Sequence, residues 1–207
     1  GGKDSLIDRL IQKSHGIKEL DLYTSCEAVY GQAEYIRDGL DFRQYIRNCE
    51  KVLENAKLRH FGVMMTINSL CLFSITDFMD IVMQWKRKYQ DKQIGMSLNL
   101  LRFPSFMSPL ALPENLKRDR MLALKTWRDK HANDPHLGEW ELASIDRLID
   151  YLDVVKTPHS KTSDLESQWS DFKLFYEQYD KRRSKNLKTH FPELLLNWVD
   201  SIEIKSN

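Results

Sequence analysis

The chain has 207 residues, 42% of them hydrophobic and 29% charged, with 8 Gly and 6 Pro, the proportions of an ordinary globular protein of about one large domain. Lys and Arg number 31 against 30 Asp and Glu, a formal charge of +1, so the field that concentrates nucleic acid or anionic lipid is missing and a dedicated nucleic-acid binder is not expected. The most apolar stretches, residues 70–73 and 94–103, fall short of the ~18 apolar residues that cross a bilayer, so neither a membrane span nor a secretory signal is expected.

Leu6, Ile7, Leu10 and Ile11 recur at helical spacing over residues 5–14, with Gly16 placed to end the helix. Residues 18–25, KELDLYTS, predict a short strand, and 26–39 a polar loop. Asp41 with Gln44 forms a capping-box pattern that opens a helix whose apolar positions Tyr45, Ile46, Cys49, Val52 and Leu53 share one face to about Ala56. Residues 61–67, FGVMMTI, are apolar almost without alternation, the pattern of a parallel strand covered on both faces. After a loop over 68–74, Thr76 is expected to cap a helix with Phe78, Ile81, Val82 and Trp85 inward and Lys86, Arg87 and Lys88 at its carboxyl end. A third strand is predicted over 94–101.

Alternating helices and strands at this spacing suit right-handed βαβ crossovers and a parallel sheet. Beyond a loop with Pro104, Pro109 and Pro113 the pattern turns helical, with candidates at 118–131, 139–155, 164–183 and 192–202 and a second capping box of Ser163 with Glu166. The chain therefore divides into an α/β part, 1–113, and a helical extension, 114–207.

In parallel α/β folds the ligand sits at the carboxyl ends of the strands. Those ends carry Thr24 and Ser25, then Thr66 and Asn68, then Asn99 and Arg102, all hydrogen-bonding residues, although strand-to-helix junctions favour Ser, Thr and Asn for turns as well. Arg37, between the first strand and its helix, can clamp a carboxylate through two parallel hydrogen bonds or pair locally with Asp38 or Asp41. The segment 179–183, YDKRR, reads as a solvated basic helix end. Six histidines form no HxxxH or HExxH pattern, and no GxSxG, GxxxxGK[ST] or GxGxxG loop occurs. Cys26, Cys49 and Cys71 are odd in number and widely spaced, which suits neither a disulfide framework nor a metal knuckle and points to a reducing, cytoplasmic compartment.

Four ordered segments carry a resemblance. TSCEAVYGQAEYIRDGLDF is similar to a strand end followed by "xIRxGxxF"; FGVMMTINSLCLFSITDFMDIV to a strand with a "TxNxLSLF" turn; IGMSLNLLRFPSFMSPLALP to a strand with "LRxPxxxSxxxLP"; and YDKRRSKNLKTHFPELL to "YDxRRxxxxxxxFPEL". Together they resemble the radical SAM superfamily, in particular its branch with a twitch-like or SPASM-like extension.

The resemblance implies a six-stranded partial TIM barrel, (βα)6. A [4Fe-4S] cluster on a CxxxCxxC loop after the first strand, with S-adenosylmethionine on its fourth iron, would reductively cleave that cofactor to a 5'-deoxyadenosyl radical that abstracts hydrogen from substrate. It implies that Ser25 and Arg37 contact the cofactor, Arg37 through its carboxylate, with Thr66 and Asn68 beside them and Asn99 and Arg102 toward the substrate. No CxxxCxxC occurs in this chain, and cluster chemistry needs closely placed thiolates. The expectation is therefore the second half of the barrel plus its extension, with the first three strands missing before Gly1, inactive and cluster-free by itself. No cysteine follows Cys71, so auxiliary clusters are not expected either. The complete enzyme would take a small-molecule or peptide substrate, with carbohydrate or tRNA chemistry also open, and would need an electron donor. The alternative is a degenerate half-barrel serving as a binding or scaffold module without a cluster. In either case two strand edges and an inner face carrying Met64, Met65, Met96 and Leu98 would lack a partner unless the aromatic-rich extension covers them.

Overall fold

A computed structural model describes residues 2–154 and 165–204. The fold is α/β, with a three-stranded parallel sheet and eight helices among the described residues. Helix α1 (Gly2–Ser14) leads into strand β1 (Asp21–Ser25), α2 (Tyr30–Ile36) and α3 (Phe42–Asn55) lead to β2 (His60–Ile67), and α4 (Ile75–Lys88) leads to β3 (Gln93–Leu100). The extension follows as α5 (Glu114–His131), α6 (Glu139–Leu152), α7 (Leu165–Arg183) and α8 (Glu193–Ser201). The sheet order is β1-β2-β3, with Tyr23 opposite Gly62 and Gly62 opposite Gly95.

Most elements start where local chemistry dictates. The Asp41 carboxylate accepts the Gln44 N–H at 2.8 Å and caps α3, as its sequence spacing requires. Helix α4 starts earlier than expected, at Ile75, so Thr76 lies inside the helix and not at its cap. The N-cap is Ser74, whose hydroxyl is taken by the Val29 N–H at 3.2 Å. The expected loop over 26–39 contains a helix, α2. It has no side-chain cap at Val29 and is short enough to be marginal in isolation. The expected cap at Ser163, and the expected helix limits at 155 and 164, lie outside the described residues.

Strand β2 is covered on one face and not on both. Phe61, Val63, Met65 and Ile67 are buried, whereas Met64 is 42% exposed and Thr66 is exposed. Side chains alternate across a strand, and the same parity holds in β3, where Ile94, Met96 and Leu98 are buried and Asn99 is exposed. The buried face packs on α3 and α4 through residues such as Leu53, Phe78, Val82 and Trp85, with the Trp85 ring edge-on to Phe61 at 6.2 Å. Of the four residues expected on an unpartnered inner face, Met65, Met96 and Leu98 therefore belong to the core, and only Met64 stands on the open side.

The two edges of the sheet differ. Along β3, the α6 carboxylate Glu141 accepts the Met96 N–H at 2.9 Å, caps its own helix through the Gly138 N–H at 2.8 Å, and holds the Lys86 ammonium at 2.6 and 2.5 Å. Helix α6 thus covers that edge at Met96. Along β1, Leu20 O is turned toward the second strand, accepting the Arg59 N–H at 2.8 Å. Alternate residues of a parallel strand turn their backbone groups to opposite sides, so those of Tyr23 and Ser25 point outward, and no described strand pairs with them.

Helix α7, about 28 Å long, crosses the loops at the carboxyl ends of the strands. Its Trp169 indole N–H donates to Ala111 O at 2.6 Å and Phe175 meets Phe106 at 5.3 Å, both beyond β3. At its far end Tyr179 and Asp180 grip Tyr35 of α2 beyond β1. No helix among the described residues is long and apolar enough to cross a membrane.

Candidate functional site

The open sheet face is built in rows fixed by the register. Tyr23, Gly62 and Gly95 form one row, Ser25, Met64 and Ser97 the next, and Thr66 with Asn99 the row nearest the carboxyl edge. With strands about 4.8 Å apart, the Ser25 and Ser97 backbones stand about 10 Å from each other. A Cβ on Gly62 would meet the Tyr23 ring at 2.4 Å, so glycine lets that ring lie against the sheet floor. A cavity of about 760 Å³ opens over the amino half of this face, lined among others by Tyr23, His60, Gly95, Trp140 and His136 and reaching Ser97. Ser25, Glu27, Arg37, Thr66, Asn99 and Arg102 do not line this cavity, which lies toward the amino end of the strands while they stand at the carboxyl edge.

Charge enters at the carboxyl end of β1. Glu27, two residues after the strand, is 3% exposed, and its carboxylate accepts from Arg37 Nε at 3.1 and 3.2 Å and from Nη2 at 2.5 Å. Burial works against the guanidinium's charge, but the Glu27 hydrogen bonds and charge outweigh it and hold Arg37 above its ordinary pKa. Arg37 thus pairs neither with Asp38, which binds Arg183 and Lys185, nor with Asp41, which caps α3. The Arg37 side chain remains 30% exposed. Nη1 makes none of its bonds to Glu27. The pair holds a cation and an anion side by side beyond the carboxyl end of β1, with the guanidinium, not the carboxylate, reaching solvent.

The other candidates divide by exposure. Ser25, Thr66, Asn99 and Arg102 are exposed around the carboxyl edge. Asn68 is 7% exposed, and its amide is committed to the backbone: Oδ1 accepts the Leu70 and Cys71 N–H groups at 3.0 Å and Nδ2 donates to Thr66 O at 3.2 Å. It shapes the turn after β2. Sequence reasoning did not assign Glu27, and only its proximity to Arg37 in the chain could have pointed to it. Ser97 was also missed, although its alternation within β3 puts it on the face of Asn99.

The cysteines are a separate matter. Cys26, Cys49 and Cys71 are all buried and free. Burial pushes the Cys26 thiol up to about 11, the Cys49 thiol up to about 12 and the Cys71 thiol well above its usual range. At pH 8 the native protein is therefore expected to react with an aromatic disulfide reagent about a hundredfold more slowly than the unfolded chain, because the thiolate is the nucleophile. A fast phase equal to one thiol in the native protein contradicts this. Among the described residues no three His, Cys, Asp or Glu side chains stand together as a metal site.

No family model, no curated protein and no solved structure matches the chain.

Proposed function

We propose that this chain is the second half of a radical SAM-type (βα)6 barrel, in which the carboxyl edge of the sheet binds S-adenosylmethionine beside a small-molecule or peptide substrate in a reducing, cytoplasmic setting. The observation that carries this reading is the Glu27–Arg37 pair at the carboxyl end of β1, where the motif resemblance assigns Arg37 to the cofactor carboxylate. Arg37 would take that carboxylate while the buried Glu27 fixes the guanidinium. Ser25 and Thr66 would supply neutral hydrogen bonds along the open face, with Asn99 and Arg102 toward the substrate.

Barrel geometry is supported by three features. Helix α1 packs beside α3, with the Lys57 N–H on Ser14 Oγ at 2.9 Å, as the crossover helix of a βαβ unit does. Its partner strand would lie along the β1 edge, and that edge carries no described strand. The open face opposite α3 and α4 corresponds to a barrel interior.

The cysteines present do not fit the cluster. All three thiols are buried, and Cys26 and Cys71 donate to the backbone oxygens of Ala28 and Asn68 at 3.3 and 3.2 Å. No reaction step is therefore assigned to this chain, whose part is to bind and orient. The same burial favours the second reading, a cluster-free binding or scaffold module with a half-barrel fold, which would need no electron donor.

Two experiments decide. The reading frame upstream of the Gly1 codon should continue for about one hundred codons, three βα units, and contain CxxxCxxC; a start codon at that point favours the module. In the complete protein, reconstituted anaerobically and titrated with S-adenosylmethionine, Arg37→Ala should weaken binding at least about tenfold through loss of a charge-assisted contact. Unchanged affinity sinks the enzyme reading.

A further inference from the structure

Within YDKRR the basic residues Lys181, Arg182 and Arg183 form an exposed last turn, but Tyr179 and Asp180 turn inward. Asp180 accepts the Tyr35 hydroxyl at 2.8 Å through one oxygen and the Leu187 N–H at 2.9 Å through the other. The Tyr179 hydroxyl donates to Tyr35 O at 2.7 Å, and the Lys185 ammonium donates to Glu34 O at 2.6 Å. Lys185 also meets Asp38 at 3.0 Å, as Arg183 does at 2.8 Å, and the Lys185 hydrogen bond holds the Asp38 carboxyl below its usual range. The carbonyls taken here belong to the last turn of α2, where a cation also opposes the helix dipole. Tyr35 is 1% exposed and sits among the rings of Tyr176, Tyr179, His190 and Phe191.

Arg37 is the residue that ends α2, its N–H donating to Ala33 O at 2.9 Å. Helix α2 has seven residues and no side-chain cap at its start, so its own hydrogen bonds do not fix it. What fixes its carboxyl end is the segment some 145 residues away in sequence.

We propose that Asp180 and Lys185 are positioning residues for Arg37: they clasp the carboxyl end of α2 and so set where the guanidinium stands at the end of β1. The helical extension is then part of the binding end of the sheet. The functional weight of the clasp rests on the reading of Arg37 as the carboxylate ligand. Its physical content does not.

The test is hydrogen exchange followed by mass spectrometry on this chain. In Asp180→Asn, peptides covering residues 30–41 should exchange about tenfold faster, the loss of roughly one hydrogen bond to a charged group, while peptides from β2 and α4 keep their native rates. Equal acceleration everywhere would reduce Asp180 to general stability and overturn the proposal, as would no change at 30–41. Should Asp180→Asn fail to fold, Lys185→Met leaves the Tyr35–Asp180 bond in place and should still loosen 30–41, with Lys185→Arg restoring protection; failure of both effects overturns it. A clasp that passes beside an Arg37→Ala variant that binds S-adenosylmethionine normally refutes the cofactor reading and leaves the clasp standing.

Discussion

Glu141→Ala is expected to destabilise the fold by about 3–5 kcal/mol, lowering Tm by roughly 10 °C for a domain of this size. The Glu141 and Lys86 side chains are each only 7% exposed, so removing the carboxylate leaves an ammonium inside the protein with His136 O at 3.0 Å as its remaining partner. The same change strips the acceptor from the Met96 and Gly138 N–H groups and opens the β3 edge. A double variant, Lys86→Met with Glu141→Gln, keeps an acceptor for Met96 and removes both charges, so it should lie within about 1–2 kcal/mol of the parent. Thermal unfolding followed by circular dichroism measures both. A Tm within about 2 °C of the parent for Glu141→Ala means that the pair does not hold α6 to the sheet.

The second large effect belongs to Arg37→Ala. The Glu27 carboxylate is then left buried and unpaired, at a cost of about 2–4 kcal/mol, reduced from the fully buried case because the Arg37 side chain reaches solvent. Urea unfolding should show it as a lower midpoint with an unchanged slope. Changing Arg37 and Glu27 together to Gln should recover most of the loss. A single variant as stable as the parent would mean that Glu27 finds another partner. The pair thus stabilises the fold as well as presenting charge, and S-adenosylmethionine binding must be compared at temperatures where each variant is folded.

The three strands and the long helices were legible in the sequence because period and capping chemistry are local. Asp41 with Gln44 is an instance, and the structure forms that cap as read. Helix α2 was not legible. YGQAEYI starts at Tyr30 with φ 47, has no capping side chain, and is held by residues of the extension that no local pattern announces. The face of β2 was misread for a related reason: an apolar run cannot declare that Met64 stands opposite Ser97 on an open side. At the site, exposure of Ser25, Thr66 and Asn99 agrees with their place at strand ends. The partner of Arg37 and the commitment of Asn68 to its own turn depended on backbone geometry that only the fold supplies.

With Glu141 on the Met96 N–H of β3 and no described strand beside β1, strand addition among the described residues has one open side. A partner strand along β1 can extend the sheet, but continuation from β3 is obstructed where Glu141 already occupies the Met96 N–H. Open-ended stacking of copies, the route from exposed edges to fibres, needs two reactive sides. Among the described residues one edge is open to a strand and the other is obstructed at Met96, which works against propagation.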